Sequence, residues 1–306
     1  MRVVSLLPSA TEWVAAVGAL PQLVGVSHEC DFPEAVRGLP VLTASRVPKS
    51  ASCREIDAAV RSVLASGQSL YALDEERLLS LQPNVILTQD LCEVCAVALN
   101  EVHEFLRASR QFHAVTVVNL RPTRFEDIFS DLARIGVALQ REKEASQVAE
   151  NLRARVERVR KGIERRGRPR LRVLSLEWVE PWMLAGSWMP DLIELAGGIP
   201  VGIEPGAPSR TMAEEEVWGL ECDCVWIKPC GQSLMRALED LHHQAKMVQE
   251  WLRRGVRVIV SDGHHLFNRP GPRLVDSLEL MAAYLASDAF PGLFQELSGW
   301  AFEFQA

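Results

Sequence analysis

The sequence predicts an α/β protein of two similar lobes, each built on a central parallel-type sheet, joined by one long α-helix, with a ligand cleft between the lobes. Three observations carry that expectation. At 306 residues the chain exceeds the roughly 250 residues beyond which single hydrophobic cores divide. Short β-branched and aliphatic runs alternate with helix-like stretches, the pattern of a parallel sheet with covering helices. The pattern then restarts: Arg172-Val-Leu-Ser-Leu176 echoes Arg2-Val-Val-Ser-Leu6, and Leu220 to Ile227 echoes Leu81 to Leu87. A diverged duplication of this size implies lobes at residues 1–122 and 169–306, with 123–168 as a helical connector.

Taken in order, Val3 to Leu7 reads as a buried strand, and Ser9-x-x-Glu12 as a capping box that opens a helix. Further strands are expected at Leu23 to Val26, Val85 to Thr88 and Ala114 to Val118, with helices at Glu55 to Ala65 and Glu75 to Leu81 among them. From Arg141 to Arg166, Ala, Glu and Arg predominate, while Val148, Leu152, Val156, Val159 and Ile163 recur at helical spacing. One helix of about 25 residues, nearly 40 Å long, is expected there, ended by Gly167 to Pro169. Residues 141–170 hold 11 basic and 5 acidic residues, and a solvated helix face accounts for them more simply than an acidic partner does.

With 48% hydrophobic and 24% charged residues the composition is globular, which excludes disordered, collagen-like and small disulfide-scaffold classes. A net charge of −7 argues against a sequence-independent grip on phosphate backbones, so nucleic acid is not expected as a partner. The apolar run after Met1-Arg2 is too short for a signal-peptide core, and no run reaches the ~18 apolar residues of a membrane span. Seven cysteines form an odd set in a long chain, which suits a reducing compartment better than a disulfide framework. As written, the sequence predicts a cytoplasmic protein without membrane insertion; a leader removed from it would make the protein periplasmic or extracellular.

In open α/β sheets ligands lie beyond the carboxyl ends of the strands. The expected strands of the first half run into Ser27-His28-Glu29-Cys30-Asp31 and into Gln89 to Cys95. His28, Cys30, Cys92 and Cys95 are therefore candidate ligands for zinc or iron: an imidazole and three thiolates suit a tetrahedral ion, and Cys-x-x-Cys is a usual spacing for two sulfurs on one metal. The plainer alternative makes these cysteines small buried hydrophobes, and redox chemistry of the pair is a third reading. The second half delivers Glu177-Trp178, Trp182, Trp188, Lys228-Pro229-Cys230-Gly231 and the stretch Asp262 to Phe267, and holds seven of the eight tryptophans. Trp178, Trp182 and Trp188, at loop positions, suit a flat and largely apolar ligand, with Glu177 and His265 as polar contacts and Phe267 beside them. Trp218, Trp226 and Trp251 read as core. His264 and His265 cannot face the same way in an extended segment, so at most one of them reaches the ligand. No G-x-S-x-G, G-x-x-x-x-G-K-[ST] or H-E-x-x-H occurs, and no catalytic residue is assigned.

Four segments carry a resemblance: Arg2 to Glu12, Leu78 to Thr88, Trp188 to Gly198 (WMPDLIELAGG) and Phe267 to Leu274 (FNRPGPRL). With them the chain resembles the class III solute-binding proteins of ABC importers, in the group for vitamin B12 and iron siderophores, and within it the leaderless cobalamin-binding branch. The resemblance implies two α/β lobes on one long helix, a cleft for a corrinoid or metal chelate, and little hinge motion. It also implies docking onto an ABC permease through one surface carboxylate per lobe; by position these are Glu76 and Glu215. The expected function is a non-catalytic binding protein for a corrinoid or metal chelate. The alternative is a cytoplasmic metalloprotein or metalloenzyme that binds zinc or an iron–sulfur cluster through His28, Cys30, Cys92 and Cys95, a set the B12 carriers do not need.

Overall fold

Backbone contacts in the computed structural model, which describes residues 1–48, 53–66, 69–90, 102, 105–107 and 114–305, divide the chain into two units. The first comprises Met1–Ala51, Glu55–Pro122 and Glu126–Asn151; the second comprises Ser52–Arg54, Thr123–Phe125 and Leu152–Ala306. In chain order the elements begin β1 (Val3–Ser5), α1 (Pro8–Ala16), β2 (Leu23–Val26), β3 (Thr43–Ser45), α2 (Cys53–Ala65), β4 (Tyr71–Leu73) and α3 (Glu75–Leu81). They continue with β5 (Val85–Gln89), β6 (Thr116–Leu120), α4 (Asp127–Leu139) and α5 (Glu142–Arg166). The second unit adds β7 (Leu171–Val179), β8 (Trp182–Leu184), α6 (Met189–Leu195), β9 (Gly198–Pro200), β10 (Arg210–Thr211), α7 (Glu214–Gly219) and β11 (Cys224–Ile227). It closes with α8 (Leu234–His243), α9 (Ala245–Arg253), β12 (Arg257–Ser261), α10 (Leu274–Leu285), α11 (Pro291–Leu297) and β13 (Ala301–Glu303).

The sheet of the first unit has the order β2-β1-β5-β6 and is parallel throughout. Strands β1, β2 and β5 are short, largely apolar and largely buried, as parallel strands covered on both faces must be, whereas β6 at the sheet's end is partly exposed. Val4, Leu6, Leu42, Leu78 and Ile86 pack together beneath it without solvent contact. Each such side chain stabilises the fold by about 1.5–3 kcal/mol. The helix after β1 begins two residues earlier than the capping-box reading has it: Pro8 takes the first helical position, Leu7 is the extended N-cap, and no side chain caps the turn. Proline suits that position because its missing N–H would have no partner there. Ser9 and Glu12 are buried instead. Strand β6 lies two residues later than expected, in the register that pairs Thr116 with Val85 and buries Val118 and Leu120.

The second sheet has the order β10-β8-β7-β11-β12-β13, with β9 also paired to β7. Strands β9, β7, β11 and β12 are parallel and repeat the order of the first unit. The duplication extends to hydrogen bonds. Arg2 donates its backbone N–H to Asn84 Oδ1 at 2.8 Å, and Arg172 donates its own to Asp223 Oδ2 at 2.7 Å. Asn84 and Asp223 return the bond from backbone to backbone, at 2.8 and 2.9 Å. The antiparallel strands β8, β10 and β13 extend the second sheet beyond anything the repeat predicts.

Helix α5 has acidic residues in its first turn and Arg165 and Arg166 in its last, which complements the helix dipole at both ends. Its N-terminal part packs in the first unit, where a Cβ on Gly136 of α4 would stand 2.7 Å from Ala145, so only glycine permits that approach. From Leu152 onward it packs in the second unit: Arg155 forks onto Asp276 at 2.5 Å and onto Glu279 at 2.6 and 3.1 Å. The expected connector thus contributes to both cores instead of standing as a segment of its own.

Candidate functional site

Three parallel strands of the second unit end side by side: β7 at Glu177, Trp178 and Val179, β11 just before Lys228, and β12 just before Asp262. This is the edge at which α/β sheets receive ligands. Lys228 is fully buried, its side chain 1% exposed, and its ammonium donates to Asn268 Oδ1 at 2.6 Å with Glu177 Oε2 at 3.8 Å. Burial pulls the ammonium below its ordinary pKa, while the nearby charges of Glu177 and Cys230 act in the opposite sense. Asn268 in turn donates to the carbonyls of Lys228 and Gly263, at 3.2 and 2.8 Å. The loop after β12 is thereby fastened to the end of β11.

Within that loop Asp262 accepts from the backbone N–H groups of His264 and His265, at 2.9 and 2.6 Å, and its other oxygen lies 3.0 Å from His265 Nδ1. Burial pushes the Asp262 carboxyl up, but the hydrogen bonds and charge of His265 outweigh it, and the group sits below the ordinary aspartate value. The segment is a tight bend, not an extended strand. The argument that two adjacent histidines must diverge fails for that reason: their rings meet edge to face at 4.5 Å, both partly exposed. Arg269, itself buried, lies 3.1 Å from His264 Nε2.

The aromatic candidates separate by environment. Trp178 is partly exposed, its indole N–H held by the Glu180 carbonyl at 3.0 Å. Trp182 packs edge-on against Trp218 at 6.1 Å and Trp251 at 5.5 Å, at the margin of the second unit's core. Trp188 is 9% exposed and Phe267 wholly buried against Trp226 at 5.6 Å. Packing accounts for these three, whereas Glu177, Trp178 and His265 line the edge with surface to offer. Trp226 and Trp251 are buried, as expected of core residues.

In the first unit His28 Nδ1 lies 2.6 Å from Thr43 Oγ1, its Nε2 3.1 Å from Glu29, and its ring 5.2 Å from that of Tyr71. Cys30 is buried, with its sulfur 3.0 Å from Thr11 Oγ1. Hydroxyl contacts therefore engage both candidate metal ligands, and Cys92 and Cys95 lie outside the described residues. Glu76 and Glu215 are exposed, each the second residue of its helix, in α3 and α7.

The sequence places Lys228-Pro229-Cys230-Gly231 at this edge but assigns Lys228 no role; a lysine closing the apolar run Cys-Val-Trp-Ile-Lys is the signal that would have singled it out. Cys53 opens α2 and donates to Asp240 at 3.2 Å; burial and that carboxylate push its thiol up to about 12, so it is chemically quiet. It borders a cavity of 690 Å³ in the second unit, lined also by Arg54, Glu180, Trp218, Asp240 and Met247.

The family model for periplasmic binding proteins matches residues 3–215, from the first strand through the exposed carboxylates of α7. The chain belongs to the periplasmic binding protein family. It is similar to the vitamin B12-binding protein of Yersinia pestis (strain Pestoides F), 22% identical over 299 residues that take in 95% of this chain and 88% of the relative. Among solved structures, the periplasmic heme-binding protein of Pseudomonas aeruginosa matches with a TM-score of 0.70 at 20% identity, over 100% of this chain and 95% of that one. The periplasmic vitamin B12-binding protein of Vibrio cholerae matches with 0.67 at 18% identity, over 94% and 97%. At these identities the structural likeness is one of fold. No helix among the described residues is long and apolar enough to cross a membrane.

Proposed function

We propose that this protein is a non-catalytic carrier of a corrinoid or a related tetrapyrrole or siderophore chelate, with Trp178, Glu177 and His265 as ligand contacts. Similarity to vitamin B12-binding proteins across 95% of the chain carries this reading, and the aromatic and polar carboxyl edge of the second sheet supports it. A partly exposed indole offers a flat apolar face, while the carboxylate and imidazole orient a ligand's polar rim. Glu76 and Glu215, at equivalent places in the repeat, are proposed to meet an ABC permease.

Titration of the purified protein with cyanocobalamin, ferric heme and a ferric siderophore, followed by tryptophan quenching and visible absorption, tests the reading. Saturable one-to-one binding of one class is expected. Failure of all three to bind would refute it.

A further inference from the structure

A fully buried lysine needs a reason, since an ammonium withdrawn from water is unfavourable unless its charge and donors are matched. Lys228 meets Asn268 at 2.6 Å and leaves Glu177 at 3.8 Å, so its charge acts on the carboxylate while its donor holds the loop. Glu177 remains 21% exposed at the side chain. Two cations near this edge are turned inward: Lys228 is 1% exposed at the side chain, and the buried Arg269 faces His264. Among the described residues, this edge therefore offers a ligand the Glu177 carboxylate, while Lys228 and Arg269 are withdrawn from it and the His265 ring is engaged by Asp262 at 3.0 Å.

We infer that the Glu177–Lys228 pair makes this edge select ligands whose periphery carries amide N–H groups over ligands whose periphery carries carboxylates. The inference rests on the carrier reading and sharpens it. An ionised carboxylate only accepts hydrogen bonds. A primary amide on the rim of a macrocycle donates to it in a charge-assisted bond, whereas a carboxylate at the same place meets like charge. Lys228, buried behind Glu177 at 3.8 Å, cannot itself receive an anionic group. Corrin rims carry amides where the heme rim carries propionates, so one pair of side chains distinguishes the two macrocycles.

The test holds ring and metal constant and changes only the rim: cobinamide, with its amides, against cobyrinic acid, with carboxylates in their place, each titrated at neutral pH by tryptophan quenching. The wild-type protein is expected to bind cobinamide at least about tenfold more tightly, the effect of one hydrogen bond to a charged group. E177Q is expected to narrow the ratio and E177K to invert it. K228M is expected to weaken cobinamide binding in the wild-type background and to change little in the E177Q background; circular dichroism establishes that it folds, and the two Glu177 variants decide the matter if it does not. Equal affinities for the two corrinoids, or a ratio that E177Q and E177K leave unmoved, would overturn the inference and leave the carrier reading intact. Binding of neither corrinoid, with heme or a siderophore bound, would remove the inference alone, whereas binding of no chelate would remove both.

Discussion

The indole Nε1 of Trp188 donates a 2.7 Å hydrogen bond to the carbonyl oxygen of Phe267, a fully buried residue held at φ 61°. A left-handed backbone at a bulky residue is strained and persists only where its surroundings over-determine it. Here Ser277 accepts from the Phe267 N–H at 2.8 Å, and Trp226 packs on its ring. Trp188→Phe keeps the volume roughly but orphans a buried carbonyl. Unfolding in urea is expected to show a loss of about 1–3 kcal/mol, with ligand affinity at low denaturant little changed. Unchanged stability would show that Trp188 matters for something other than packing.

Trp178 and Trp182 lie four residues apart yet are expected to fail in different assays. Trp178→Ala removes a partly exposed face and is expected to weaken ligand binding by about 1–3 kcal/mol with a near-normal melting temperature. Trp182→Ala opens the cluster it shares with Trp218 and Trp251 and is expected to cost about 3 kcal/mol or more of stability. Parallel melting and binding curves for the two variants check both statements, and a reversed pattern would transfer the ligand contact to Trp182.

Much of this was legible in the sequence because periodicity and repetition are local signals. The α3 boundaries, the long α5 helix and the echo of Arg2 in Arg172 could be read directly, and the echo proved to include a shared hydrogen bond to Asn84 and Asp223. What could not be read was packing. Trp188 and Phe267 looked like loop residues but are buried, and Trp182, partly exposed, lies in β8 against Trp218 and Trp251. The bend at Asp262 depends on one carboxylate accepting two successive backbone N–H groups, which no alternation of apolar residues reveals.

Gly263 sits where that bend approaches the end of β11. A Cβ there would stand 2.2 Å from the Pro229 carbonyl oxygen and 2.8 Å from atoms of the Lys228 backbone, which are not flexible side-chain ends. Gly263→Ala is therefore expected to push the His265 loop away from Lys228, breaking the bracket made by Asn268. A drop in melting temperature together with weaker ligand binding is the expected result. Loss of stability alone, with full affinity in the folded fraction, would detach the loop from the site.

The Asp262 carboxyl also sets an acid limit on that loop. Its value in the folded protein lies below the ordinary 3.8, so folding favours its ionised form. Its contribution is accordingly complete above about pH 5 and is lost as pH falls through the unfolded and then the folded value. Asp262→Asn keeps an acceptor for the N–H groups of His264 and His265 but removes both the charge and its titration. The stability difference between wild type and Asp262→Asn is expected to be about 1–3 kcal/mol near neutrality and to shrink steadily below pH 4, because other carboxylates cancel in the comparison. Urea unfolding of both proteins across that range measures it. A difference that stayed constant with pH would mean that the His265 contact does not hold the Asp262 carboxylate ionised.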